Sequence, residues 1–487
     1  LDSSAQKINR IPYILFFALI VVSLPFSPLF QPFGYDREIF RYAGMLVTKG
    51  YLPYRDIFDH KPPVIYFISA LAHLFGPWGF WIVSNVLTYI TSLVVFRYAR
   101  GRFTTYSFIL VIPLIYIFLS RYEPLYEGGG LTREYTQTFA TLIIFLRINI
   151  QWLRFLVIGL LYGLIFFTQQ NEILAITLVA GYFILWNREG NRFKTISEIF
   201  SHGLSFTVGS VGICALIAGY FYLHGAFNAF IEQAFLFNTN FYVPPSFYQS
   251  FSDTWMIYYY VFPNFTLFAI LYILFAKKNK NIVEYIVFFM AMLVQLGASS
   301  LGYHFGHYYL SFIPYFCYTT LFALTHFEDK IAPDYRRIVA TAAFFLFILP
   351  MVLILRYKAI ANHQYWSYYS QRSECYDVVK DIKGKDGQLF VFNNPAYLAL
   401  NTDLNSASMS KLAYFHFYDN AKFDKDNSIF YGIVETLQKN RCKYIIDFSS
   451  YKPIARQELQ DYWNKFVNTN YHQIHENTGH YRILQIN

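Results

Sequence analysis

Between Phe33 and Pro63 runs FGYDREIFRYAGMLVTKGYLPYRDIFDHKPP, set between two strongly apolar segments. It gathers Asp36, Glu38, Asp56, Asp59, His60 and Lys61, with Arg37, Arg41 and Arg55 among them. Charge at the mouth of a membrane bundle is costly and is usually kept for function. Asp36 and Glu38 follow the first apolar segment by only a few residues. A carboxylate at a water–lipid interface is partly desolvated, which raises its pKa and suits it to general-base work. Equally, acids at a helix start complement the helix dipole. Lys61 precedes Pro62 and Pro63 and is thereby held out of helical geometry. Its ammonium can hold a lipid phosphate as a point charge, or simply snorkel to the headgroups.

Three further stretches carry polar groups between apolar runs. RYEPLYEGGGLTREYTQTF at 121–139 offers Glu123, Glu127, Arg133 and Glu134, with Thr132 placed to cap a helix. Thr168, Gln169, Gln170, Asn171 and Glu172 form a polar knot at a turn, where amides and Glu172 can bind sugar hydroxyls. His304 and His307, three apart, share a helix face; a pair alone does not make a zinc site, which needs three or four ligands. The aromatic-rich segment 238–260 reads as interfacial anchoring, with a mobile lid or an acceptor surface as alternatives.

The elements that must position these residues follow from composition. The 487-residue chain is 55% hydrophobic, 21% aromatic and only 14% charged. Repeated apolar runs of about 20 residues mark a polytopic α-helical membrane protein. The formal charge of +9 does not signal nucleic acid, because it concentrates in short loops. Apolar segments fall at about 11–30, 78–97, 103–120, 135–150, 153–169, 172–187, 203–223, 257–276, 281–298, 303–325 and 337–356, giving about eleven spans. The first lacks a small-residue cleavage site and reads as a retained helix rather than a signal peptide. With Lys7 and Arg10 in the cytoplasm, the loops at 97–102, 147–154, 187–194, 277–280 and 326–337 are inside, and each is basic. Residues 31–77 and everything after 357 are then outside. Residues 36–49 and 63–76 suit interfacial helices, the second being too short to span.

Residues 357–487 change character. Strand-like LFVF at 389–392 and YIIDF at 444–448 each follow a helical pattern, at 372–383 and 429–440. This predicts a small α/β domain outside the membrane, joined to a catalytic domain spanning 1–356. Cys375 and Cys442 lie in it, either bridged or as two free thiols. Cys214 and Cys317 fall inside apolar segments.

Tyr-Asp-Arg-Glu, then Lys-Gly-Tyr-Leu-Pro-Tyr-Arg-Asp, then Asp-His-Lys-Pro-Pro after a first membrane helix resembles the GT-C glycosyltransferases. The likeness is to the bacterial branch related to protein mannosyltransferases and the lipid A aminoarabinose transferase. That family carries an acidic motif in its first outer loop, a G-x-x-P-Y-x-D segment and K-P-P before an apolar helix. Gly50, Pro53, Tyr54 and Asp56 match the segment, and Lys61-Pro62-Pro63 the end. Arg37 stands between the two acids, which makes them an i, i+2 pair. The resemblance implies an inverting transfer from a polyprenyl-phosphate sugar to a lipid, glycan or protein acceptor, at the outer face of a bacterial inner membrane. Asp36 would be the base, Lys61 the phosphate ligand, and Glu38 a second acid of the motif. Arg37, Tyr54, Asp56, Asp59 and His60 would line the substrate site. Glu134 matches a second acid in the family, as another base or a ligand of a divalent metal, the one cofactor that the reading leaves open. Gln169 stands where related sequences often have lysine, and His307, Tyr308 and Leu310 match a late H-Y-x-L pattern. The active site would lie among the first two outer loops and the 169–172 and 304–307 turns. A transporter or flippase of lipid-linked sugars is the alternative, weakened by the absence of internal repeats. A scaffold without activity is the third.

Overall fold

The structure, a computed structural model, describes residues 10–29, 35–126, 128–187, 190–240, 282–300, 306–330, 334–335, 338, 372–408, 410, 424–450, 453–477 and 480–487. Helices dominate. In chain order they are α1 (Ile11–Ser23), α2 (Tyr35–Thr48), α3 (Val64–His73), α4 (Gly79–Arg100), α5 (Tyr106–Ser120), α6 (Thr132–Phe145), α7 (Gln151–Phe166), α8 (Ile173–Leu185), α9 (Ile196–Leu223), α10 (Ile282–Ser300) and α11 (Ile313–Lys330). A two-strand hairpin, β1 (Trp186–Asn187) and β2 (Arg192–Phe193), joins α8 to α9. The last part holds a helix at 372–379 (α12), then β3 (Leu389–Phe392), α13 (Leu398–Asp403), α14 (Ser428–Asn440), β4 (Tyr444–Asp447), α15 (Gln457–Asn470), β5 (Tyr471–Asn477) and β6 (Tyr481–Ile486).

Three stretches among the described residues are long and apolar enough to cross a membrane: Gly76–Arg100, Ile196–Leu223 and Ile282–Ser299. Several shorter apolar helices accompany them, α1, α5, α7 and α8 among these. On α9, Leu204, Val208, Val211 and Leu216 are exposed, as expected where lipid rather than protein covers a helix. The segment expected at 257–276 lies outside the described residues, as does that at 337–356 apart from Ile338. The segment expected at 303–325 is not one continuous helix: a 3-10 turn, Gly306–Phe312, precedes α11.

Residue contacts divide the chain into two compact units. The first comprises Leu1–Ser27, Trp81–Tyr220 and Val243–Ile360. Its core is apolar, built from α1, the latter part of α4, and α5, α6, α7, α8, α10 and α11, with Leu15, Ile112, Phe155, Phe288 and Phe316 buried. The second comprises Pro28–Phe80, Phe221–Tyr242 and Ala361–Asn487. The α2–α3 pair therefore packs with the C-terminal α/β region as one body. The sheet order is β3-β4-β6-β5, with β3 parallel to β4 and the other neighbours antiparallel. Alternation puts Phe390, Phe392, Ile445 and Leu484 on one face, and Leu389, Val391, Ile446 and Ile483 on the other. Cys442 packs on the first face and Cys375 on the second, so the sheet separates them and both are free thiols. Burial pushes each up to about 12, leaving them protonated and inert.

Candidate functional site

The loop of residues 35–63 is built on α2 and α3. Helix α2 starts with Asp36 and Glu38 in its first turn and buries Ile39, Phe40, Ala43 and Leu46 on one face. Gly44 faces the backbone of Ser69 on α3; a Cβ there would lie 2.5 Å from the Ser69 carbonyl. Only glycine lets the two helices approach so closely. Gly50 then ends α2 at φ +88°, with Tyr51 N–H donating to the Leu46 carbonyl at 3.0 Å.

The chain next turns back through Tyr54, itself at φ +70°. Asp56 Oδ2 accepts the Leu52 N–H at 2.8 Å and pairs with Arg55 at 2.8 Å, which holds its carboxyl below the ordinary range. Buried Tyr54 donates its hydroxyl to the Lys61 carbonyl at 2.7 Å, and Tyr66 donates to the same oxygen at 3.1 Å. Burial, and then Asp59, keep the Tyr54 phenol well above its usual pKa, so it stays a donor. Buried Asp59 Oδ1 accepts the N–H groups of His60 at 2.6 Å and Lys61 at 3.2 Å. The backbone at Lys61 is thus clamped from both sides while its ammonium pairs with no described residue.

Two residues that sequence reasoning passed over complete this frame. Buried Gln233 donates to the Tyr54 carbonyl at 2.7 Å and accepts the Asp59 N–H at 3.3 Å. Asn238 donates to the His60 carbonyl at 2.8 Å. Both come from the short helical segment Phe227–Asn240. The available signal was a glutamine inside the apolar run AFNAFIEQAFLF, where an unsatisfied amide would be costly.

The two acids at the start of α2 differ. Glu38 is fully buried, and its Oε2 pairs with Arg41 at 2.7 Å. Arg41 also reaches Asp403 at 3.3 Å. Asp36 is half-buried and bonds to no described residue. Arg37 is buried beside it in sequence.

In the first unit, three sequence-predicted stretches converge. Glu134 Oε1 pairs with the fully buried Arg121 at 3.2 Å, and its Oε2 accepts Ser84 Oγ at 3.0 Å and Gly130 N–H at 2.9 Å. Arg121 also donates to the Ser84 carbonyl and to Thr88, and lies 4.4 Å from the Tyr126 ring centre. Arg133 pairs with Glu172 and stacks on Tyr308 at 4.6 Å. Gln295 donates to Glu172 at 2.8 Å, and Thr132 to Gln169 at 3.1 Å. Gln170 is half-buried. His307 is buried against Tyr308, ring edge to face at 4.8 Å. His304 and Glu127 lie outside the described residues. Arg121, Ser84 and Gln295 were not singled out from sequence, since single polar residues within apolar runs do not announce their partners. Among the described residues no three His, Cys, Asp or Glu side chains gather as metal ligands would.

This architecture, an apolar helix bundle with the α2–α3 pair and a small C-terminal sheet, is similar in fold to solved structures. Among solved structures, ArnT from Cupriavidus metallidurans, the lipid A aminoarabinose transferase, matches in its apo state at TM-score 0.58 and 12% identity, over 97% of each chain. The same protein bound to undecaprenyl phosphate matches at TM-score 0.55 and 11% identity, over 98% of this chain and 97% of that one. An Archaeoglobus fulgidus oligosaccharyltransferase follows at TM-score 0.46 and 10% identity, over 95% and 73%. No family model matches the chain, and no curated protein matches it in sequence.

Proposed function

We propose that the chain is a membrane glycosyltransferase that moves a sugar from a polyprenyl-phosphate carrier to a lipid, glycan or protein acceptor on the outer face of a bacterial inner membrane. One observation carries the reading. Within a loop whose other acids and bases are held by partners, the Asp36 carboxylate and the Lys61 ammonium alone pair with no described residue. The frame beneath Lys61 is rigid, so its freedom belongs to the side chain and not to a loose loop. Unused opposite charges on stiff backbone are what a displacement at an anomeric carbon needs. A carboxylate takes the proton of the incoming hydroxyl, and a cation meets the charge that develops on the leaving phosphate. The undecaprenyl phosphate bound by the ArnT neighbour is consistent with such a donor.

Asp36 is the base in this reading, and Lys61 the phosphate ligand. Tyr54, Asp56, Asp59 and His60 hold the loop that presents them. Transfer goes in one displacement with inversion, so no covalent nucleophile is required. Glu38, already held by Arg41, positions the start of α2. The Arg121–Glu134 and Arg133–Glu172 pairs fix the second outer loop and the 169–172 turn. The test is transfer from a purified polyprenyl-phosphate sugar by the full chain in detergent. Asp36→Asn should lower turnover by about 10²–10⁴-fold, the usual contribution of a general base. Turnover at the wild-type rate in that variant would remove Asp36 from the chemistry.

A further inference from the structure

Within the first unit, basic side chains gather at the end of α6 away from Glu134. Glu134 lies in the first turn of α6 and Arg147 just past its last, about 20 Å along the axis. Arg102 beyond α4, Arg154 in the first turn of α7 and Lys194 after β2 join Arg147 there. The Tyr98 ring holds two of them, with the Arg147 guanidinium 4.5 Å and the Arg102 guanidinium 5.2 Å from its centre. Arg102 also donates to the Tyr98 hydroxyl at 2.9 Å. Gly101 makes room for Arg147, since a Cβ there would come within 2.7 Å of its guanidinium. Arg154 lies 4.9 Å from the Phe183 ring centre, and Lys194 donates to the Phe183 carbonyl at 2.6 Å. Arg154 is repelled by Arg147 on one side and Lys194 on the other. The nearby acids are spent. Glu284 accepts the Tyr318 hydroxyl, Glu328 accepts the N–H groups of Thr104 and Thr105, and Glu198 accepts the Thr195 N–H at the start of α9. Arg147 and Arg154 pair with no described carboxylate. Burial and then Arg154 bring the Lys194 ammonium down to about 8, as expected where positive charge is under-compensated.

We propose that this cluster is a binding site for the phosphate of an anionic membrane lipid. Guanidinium groups present planar, paired donors that match phosphate oxygens. Ordinary basic loop residues at a membrane surface wave in water. Here the arginines are stacked on aromatic rings, which holds them at one height on the bundle. Their surroundings name the lipid. Ile150 and Trp152 are exposed beside Arg154 in the chain, and Phe193 and Ile196 are exposed on either side of Lys194. The exposed apolar face of α9, with Leu204 and Val208, runs on from there. Aromatic and apolar side chains flanking cations are the pattern of a headgroup-level surface. A free anion would meet the guanidinium groups and leave that apolar rim to water, whereas a phospholipid covers both. The site uses no residue given a role in transfer.

The experiment measures binding rather than turnover, so its outcome is independent of the transferase reading. The purified full chain in uncharged detergent is titrated with phosphatidylglycerol or phosphatidylcholine of the same acyl chains, and bound lipid is counted by native mass spectrometry. Wild type should prefer phosphatidylglycerol about tenfold or more, the worth of one charge-assisted contact. The double variant Arg147→Gln, Arg154→Gln should lose most of that preference. Arg97→Gln removes an equal charge from the same end of α4, where Arg97 is exposed and stacks on no ring, and should keep the preference within about threefold. If the double variant does not purify as a folded protein, Arg147→Gln alone carries the comparison, because Arg147 is exposed and donates no hydrogen bond to a described residue. Its loss should be about threefold or more. Equal binding of the two lipids by wild type overturns the proposal. So does an equal loss in Arg97→Gln, which would make net charge the cause. Displacement of the lipid by inorganic phosphate at matching concentration would overturn the assignment to a lipid, since a free anion would then suffice.

Discussion

At the scale of single residues, the loop separates groups that look alike in sequence. Asp36 and Glu38 are two positions apart on α2, which puts them on different sides of the helix. One is half-exposed and pairs with no described residue; the other is sealed against Arg41. Lys61 carries the sharper prediction. Its backbone is held by Tyr54, Tyr66 and Asp59, so Lys61→Gln should leave the fold intact and remove only a charge. A lost charge-assisted contact to phosphate is worth about 1.5–3 kcal/mol. The variant should therefore raise the KM for a polyprenyl-phosphate sugar about tenfold or more, with an unchanged melting temperature. Gln233 makes the opposite prediction. It touches only the loop backbone at Tyr54 and Asp59, and Gln233→Ala strands both groups in a buried setting. An unsatisfied buried group costs about 1–3 kcal/mol, so this variant should melt lower. Differential scanning of the two proteins side by side separates a ligand residue from a framework one.

At the scale of elements, α2 and α3 approach most closely where Gly44 meets Ser69. Gly44→Val would push a side chain into the Ser69 carbonyl. Overpacking of this kind costs about 1–3 kcal/mol. Stability and transfer should fall together, whereas Asp36→Asn should lower transfer alone. The helices at 36–49 and 429–440 were readable from their helical pattern, and the one at 63–76 as an apolar run too short to span. Strands β3 and β4 were readable because they are continuous β-branched and aromatic runs, buried on both faces. Strands β5 and β6 went unnoticed. β5 is an edge strand reading YHQIHEN, mostly exposed, and its ladder to β6 rather than its own composition makes it a strand.

At the scale of the whole molecule, acid should loosen the second unit through identifiable groups. Burial raises the carboxyl of Asp386, but Lys49, the Ala407 N–H and Tyr51 outweigh it and hold it below 3.8. A depressed carboxyl stabilises the fold above its unfolded pKa, and that contribution is lost as pH falls through the folded value. His73 works in the same direction at higher pH. Burial, Arg41 and Lys49 lower it from 6.5, so the folded state prefers the neutral ring and loses stability as pH falls below 6.5. Melting temperature should decline in two stages between pH 7 and 3. Lys49→Gln should flatten the lower stage, and a profile identical to wild type would contradict this assignment.

Much of the fold was legible because a membrane imposes one rule: backbone polar groups must be satisfied within helices, so apolar length reveals them. The helical order, the helix pair α2–α3 and the motif carrying Asp36 and Lys61 follow from that rule and from local residue types. What sequence could not supply is partnership across long separations. Gln233 lies far from Tyr54 in the chain, Arg121 is 13 residues from Glu134, and Asp403 is 362 residues from Arg41. Each charge reads the same on the page whether it is spent or free. Only the tertiary structure decided that Glu38, Glu134 and Glu172 are held by arginines while Asp36 and Lys61 pair with no described residue, because a buried ion must find its counterion wherever the fold brings one.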